Sequence, residues 1–215
     1  MPRIACLHTA QSNVAVFDES LATIGIGGVT LQHCVRADLL HAAEQAGGLT
    51  PAIERQTAQA LNDLGRDADA VLLTCSTLGP AADSAPHTGA AVVRVDAALA
   101  REAVRGGGRV TVLCAVHTTV EPTRALFAAA AQQTGAEVTV HLVPDAWSAF
   151  RDGDGARYLA LIAQAADAAL SGGATRIALA QASMAGAAGL ATRGVLLASP
   201  AAGLMAAIEA TSRPR

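Results

Sequence analysis

Two stretches set half a chain apart constrain this sequence more than anything else in it. VLLTCSTLGP at residues 71–80 and IALAQASMAG at 177–186 are each a short apolar run that gives way at once to small polar residues. Runs of that length suit strands buried on both faces, and the abrupt polarity marks a strand's C-terminal edge. A second pair, ACLHTA at 5–10 and CAVHTT at 114–119, repeats the form. The offsets are 109 between His8 and His117 (117 minus 8) and 106 between Cys75 and Gln181 (181 minus 75). Two similar offsets predict two α/β halves, residues 1–100 and 101–215, with room for the termini to cross over between them. Ligands of parallel sheets sit at the C-terminal edge, so the expected site is a cleft between the halves with Cys75 and Gln181 on opposite walls.

The remaining pattern agrees with an α/β fold. Strands are expected at 4–7, 31–35, 71–73, 91–95, 110–115, 138–143, 177–180 and 195–198. Helices are expected from Pro51 with Thr50 as N-cap, from a cap at Asp96 to 104, and over 121–134, 156–170 and 201–210. Residues 11–30, which include Gly25, Gly27 and Gly28, and residues 144–155 are expected to be loops that set specificity. The glycine spacing is not that of a dinucleotide loop.

Composition narrows the function. The chain is 52% hydrophobic but has only one Trp, one Tyr and three Phe, so its core is built from small aliphatic side chains that pack helices tightly on sheets. A net charge of -3 without any Lys/Arg run argues against nucleic acid and an anionic membrane as partners. No apolar stretch is long enough to span a bilayer, and residues 1–3 lead straight into a strand, so a cytoplasmic protein is expected. Cys6, Cys34, Cys75 and Cys114 are widely spaced with no CxxC pair, which suggests neither a zinc site nor a disulfide framework. No metal and no cofactor are expected. The partner is a small molecule or a second copy of the chain.

Cys75 is the candidate nucleophile or base. Backbone N–H groups left unpaired at a strand end would favour its thiolate and lower a pKa that is ordinarily about 8.5, making it the most reactive of the four thiols. The competing possibility is a buried structural thiol. His8 and His117 end strands as well; each either acts as a base, or lowers the Cys75 pKa, or is a hydrogen-bonded loop histidine. His33, His41, His87 and His141 are read as structural or exposed. A metal held by His8 and His117 would lack a clear third ligand.

The segments VLLTCSTLGP, HTTVEPTRALF, ALAQASMAG and the closing LASP together resemble the aspartate/glutamate/hydantoin racemase superfamily, which includes arylmalonate decarboxylase and maleate isomerase. The resemblance implies two pseudo-symmetric halves and cofactor-independent chemistry. In it, one cysteine from each half moves a proton on opposite faces of a carbon atom while hydroxyls and N–H groups hold the substrate carboxylate. Cys75 matches the first cysteine, and Ser76 and Thr77 match the carboxylate-binding positions. Thr119 matches a threonine beside them. Further expected substrate contacts are His8, Thr9, Asn13, His117, Thr118, Ala182 and Ser183. The departure is Ala180-Gln181-Ala182, where the resemblance calls for a second cysteine; none of Cys6, Cys34 and Cys114 stands at that strand end.

An amide cannot exchange protons near neutral pH, so Gln181 is expected to act in catalysis by donating a hydrogen bond to a substrate carboxylate or enolate-like oxygen. The expectation is therefore an isomerase or decarboxylase-like lyase acting on a small carboxylate or dicarboxylate through one thiol, and assembling as a homo-oligomer. The alternatives are a catalytically reduced member that only binds a carboxylate, and a racemase or epimerase with a histidine as second base.

Overall fold

A computed structural model describes residues 1–84 and 89–212. His87 lies outside the described residues. The chain divides into two compact units, Met1–Ala98 with Pro200–Arg215, and Leu99–Ser199.

The first unit is built on β1 (Arg3–His8), β2 (Thr30–Val35), β3 (Ala70–Leu73) and β4 (Ala91–Arg94), all parallel, in the order β2-β1-β3-β4. β3 is buried along its whole length, as its unbroken AVLL sequence requires of a central parallel strand. On one face Ala5, Leu7, Val71 and Leu73 pack with Leu39 of α2 (Ala37–Gln45) and with Ile53 and Leu61 of α3 (Pro51–Gly65). Thr50 caps α3 as expected, accepting a hydrogen bond from the Ile53 N–H at 3.4 Å, with Pro51 in the first turn. On the other face α1 (Asn13–Ile24) brings Phe17 against His8. The terminal helix α8 (Ser199–Thr211) approaches closely enough that a Cβ on Gly203 would meet Val95 and Leu72. α4 (Val95–Val104) begins one residue before the expected cap. Asp96 lies inside its first turn, and its carboxylate is held by Arg94.

The second unit repeats the plan. β5 (Arg109–Cys114), β6 (Glu137–Leu142), β7 (Arg176–Leu179) and β8 (Leu196–Ala198) are parallel in the order β6-β5-β7-β8. α5 (Val120–Ala131), α6 (Ala146–Arg151) and α7 (Gly155–Ser171) complete it, with Tyr158 and Ile162 of α7 packed on Leu113, Ile177 and Leu179.

Register fixes the repeat better than sequence spacing does. Leu7 pairs with Leu73, and Leu113 with Leu179, each 106 residues further on. His8 therefore corresponds to Cys114, and the apparent match of His8 to His117 is replaced. Helices occupy much of both expected loop regions and one stretch for which no element is expected. Residues 13–24 form α1, which ends at Gly25 in a left-handed conformation (φ 72°). Residues 37–45 and 146–151 form α2 and α6.

Candidate functional site

In the first unit β3 stops at Leu73, and the Thr74 N–H still reaches the Leu7 carbonyl at 3.1 Å before the chain turns away. Cys75 follows, with only 9% of its surface exposed, and Ser76 and Thr77 beside it are buried too. The turn closes through the Gly79 N–H on the Ser76 carbonyl at 3.1 Å. Burial pushes the Cys75 thiol up, while hydrogen bonds from the Thr9 side chain and from the Leu78 and Thr77 N–H groups pull it back, and the Asp96 carboxylate adds to the rise. The net direction is upward, so the expected depressed pKa is corrected: desolvation outweighs the donors. Cys34, half-buried in β2, is a more accessible thiol than Cys75. At neutral pH Cys75 is a neutral thiol, which is the protonation state of a proton donor.

The pair that fixes this turn was missed from sequence. Arg94 at the end of β4 donates from Nε and Nη2 to both oxygens of Asp96 at 3.1 and 2.9 Å, and from Nη1 to Asp83 at 2.7 Å. Arg94 is thus neutralised locally and does not serve as the cation that would stabilise a Cys75 thiolate. The clamp leaves no room above Gly79, where a Cβ would meet Arg94 Nη2 at 2.6 Å and Asp96 Oδ2 at 2.8 Å. The Arg-x-Asp spacing at a strand end is the sequence signal for it.

Behind Thr9, His8 is fully buried. Its Nδ1 lies 2.9 Å from Thr74 Oγ1 and its Nε2 lies 2.8 Å from His33 Nδ1, while His33 Nε2 lies 3.1 Å from Asp18 Oδ1. Burial, and secondarily His33, lowers the His8 pKa to about 4. Its ring is held between Thr74 and His33. Asn13 is buried at the start of α1. Cys6, two residues before His8, is fully buried and its thiol is pushed up to about 12 by desolvation.

In the second unit Gln181 follows β7 as Cys75 follows β3. Its Oε1 accepts from the Ala115 N–H at 2.7 Å and its Nε2 donates to Thr119 Oγ1 at 2.9 Å, while Thr119 donates to the Val116 carbonyl at 2.7 Å. Cys114 does not share the β7 end but finishes the neighbouring β5. The side chains of Thr123, Thr119 and Gln181 hydrogen-bond to it, against a burial that pushes its thiol up. Ser183 shares a 2.7 Å hydrogen bond with the Tyr158 hydroxyl, and Ala182 is buried. The Thr118 hydroxyl is buried without a hydrogen-bond partner, and His117 is exposed. A cavity of about 270 Å³ in this unit is lined by Arg109, Glu137 and their neighbours, at the N-terminal ends of the strands, away from Gln181.

The structure thus brings Thr9, Cys75, Ser76 and Thr77 together with His8 nearby in the first unit, and Thr119, Gln181 and Cys114 together in the second. The sequence matches no family model and no curated protein. Solved structures do match over the whole chain. An aspartate racemase from Picrophilus torridus aligns at a TM-score of 0.75 and 12% identity, covering 100% of this chain and 96% of its own. The chain has the fold of the racemases. An aspartate racemase homologue from Pyrococcus horikoshii OT3 aligns at a TM-score of 0.70 and 16% identity over 99% of this chain and 100% of its own. An allantoin racemase from Klebsiella pneumoniae aligns at 0.70 and 15% identity over 100% and 94%.

Proposed function

We propose that the chain is a member of the aspartate/glutamate/hydantoin racemase superfamily that acts on a small carboxylate through the single thiol of Cys75. The chemistry is a cofactor-independent isomerisation or a lyase reaction of the decarboxylase type. The observation that supports this most is the contrast at one topological position: Cys75 receives hydrogen bonds from Thr9 and two N–H groups, whereas Gln181 has its amide tied to Ala115 and Thr119. In this reading Ser76, Thr77 and Thr9 hold the carboxylate, and the neutral Cys75 thiol delivers its proton to a carbanion or enolate formed on the substrate. Run in reverse, the step uses the Cys75 thiolate to remove a substrate proton from that same face only, which leaves the thiol protonated again. Gln181 is a positioning residue that holds the loop carrying Thr119.

Crystals soaked with small dicarboxylates test this reading. A carboxylate bound by Ser76 and Thr77 with a carbon atom next to Cys75 Sγ is expected; a ligand bound away from Cys75 would remove the basis for it.

A further inference from the structure

Strand alternation places Cys6 and His8 on the same face of β1, and the parallel register sets Cys6 opposite His33 of β2. The ligand-capable atoms of Cys6, His8 and His33 all lie within 4.8 Å of one another. Two of these ligands, Cys6 and His33, are not the ones that the spacing of His8 and His117 in the sequence pointed to.

Proton positions in the cluster follow from its hydrogen bonds. Thr74 Oγ1 donates to the Leu7 carbonyl at 3.0 Å, so it accepts from His8, which puts the His8 proton on Nδ1. His8 Nε2 then presents a bare lone pair toward His33. His33 Nε2 faces the Asp18 carboxylate, an acceptor, so its proton sits there, and a neutral His33 also presents a bare lone pair from Nδ1. Two lone pairs 2.8 Å apart, with a cysteine sulfur beside them, call for a proton or a metal ion between them. A proton on His33 Nδ1 would make that ring an imidazolium paired with Asp18 and satisfy the two histidines alone, whereas a metal ion also engages the Cys6 sulfur that stands with them.

We propose that Cys6, His8 and His33 bind one divalent transition-metal ion of the zinc class. The donor set of one thiolate and two imidazoles is one that zinc takes, with a fourth position left for another ligand. Each imidazole already has the outer partner that fixes a metal-bound tautomer: Thr74 on His8 Nδ1 and Asp18 on His33 Nε2. Tetrahedral zinc with bonds of about 2.0–2.1 Å to nitrogen needs the two nitrogens roughly 3.3 Å apart, so the rings must part by about half an ångström. His33, whose side chain is 16% exposed on one side of the pair, has the freedom to do so. The ion would also hold the strand end that leads through Thr74 to Cys75.

Titration of the purified chain with Co(II) and Zn(II), followed by absorption and calorimetry, tests this. One ion per chain with a thiolate-to-cobalt charge-transfer band is expected. Cys6→Ala should abolish the band and weaken Zn(II) binding about 100-fold, and Asp18→Asn, on an exposed side chain, should weaken it about 10-fold without touching the core. Cys34→Ala, whose thiol packs on the opposite face, should change neither. Absence of the band, Zn(II) binding unaffected by both Cys6→Ala and Asp18→Asn, or loss of the band in Cys34→Ala would overturn the proposal.

Discussion

The two strand ends at Cys75 and Gln181 are the same piece of architecture with different chemistry. Each follows a central parallel strand, and each is preceded by a residue whose N–H bonds back to the neighbouring strand: Thr74 to Leu7 at 3.1 Å and Ala180 to Leu113 at 3.0 Å. In the first unit the side chain at that position is a thiol with hydrogen-bond donors aimed at it. In the second it is an amide whose oxygen and nitrogen both serve the loop around it. The repeat preserves the backbone that makes a site; the reactive group is decided one residue at a time.

If Gln181 is a tie rather than a reactant, removing its amide should cost stability before it costs chemistry. Gln181→Leu leaves the buried Ala115 N–H without its partner and the Thr119 hydroxyl without a donor, at about 1–3 kcal/mol for each group left unpaired. The expected result is a clear drop in denaturant midpoint with the reaction retained in the folded fraction. A fully stable variant that has lost activity would break the comparison and make Gln181 a direct participant.

A smaller effect sharpens it from the alkaline side. Cys75 and Cys114 are both raised above the ordinary thiol value, and Tyr158 is raised from 10.0 to about 12 by burial. Groups that ionise more readily in the unfolded chain stabilise the fold fully below their unfolded values, and that stability is lost as pH rises through the folded values. Unfolding free energy should therefore be level between about pH 7 and 9 and fall between about pH 9 and 12, with Tyr158 contributing on the order of 2–3 kcal/mol. Cys75→Ala and Cys114→Ala should each flatten part of that fall. Stability that does not change over this window would mean the strand ends are open to solvent.

How much of this was legible beforehand depends on whether the deciding information was local. The central strands β1, β3, β5 and β7 and their polar ends were visible because each is a short apolar run closed by small polar residues, and Cys75, Ser76, Thr77 and Gln181 could be singled out on that basis. α1 was hidden because Ser12 gives no side-chain cap and the glycines after Ile24 suggested a longer loop. α2 and α6 are only nine and six residues long and also lack a capping side chain. The Cys75 pKa was misjudged because donors at a strand end can be read from sequence, whereas the degree of burial cannot. The Cys6–His8–His33 cluster and the placement of Cys114 beside Gln181 depend on strand register and on neighbouring strand ends, which no local pattern encodes.

The central claim is that one thiol, Cys75, carries the proton chemistry. Incubating single enantiomers of aspartate and glutamate in deuterated water, with native protein and with Cys75→Ala, measures it directly by deuterium uptake at the α-carbon and by the chirality of what remains. The account predicts deuterium uptake without interconversion of enantiomers if either compound is accepted, and at least about a 1000-fold loss of uptake in Cys75→Ala. Efficient racemisation by the native protein, or uptake that survives Cys75→Ala, would contradict it.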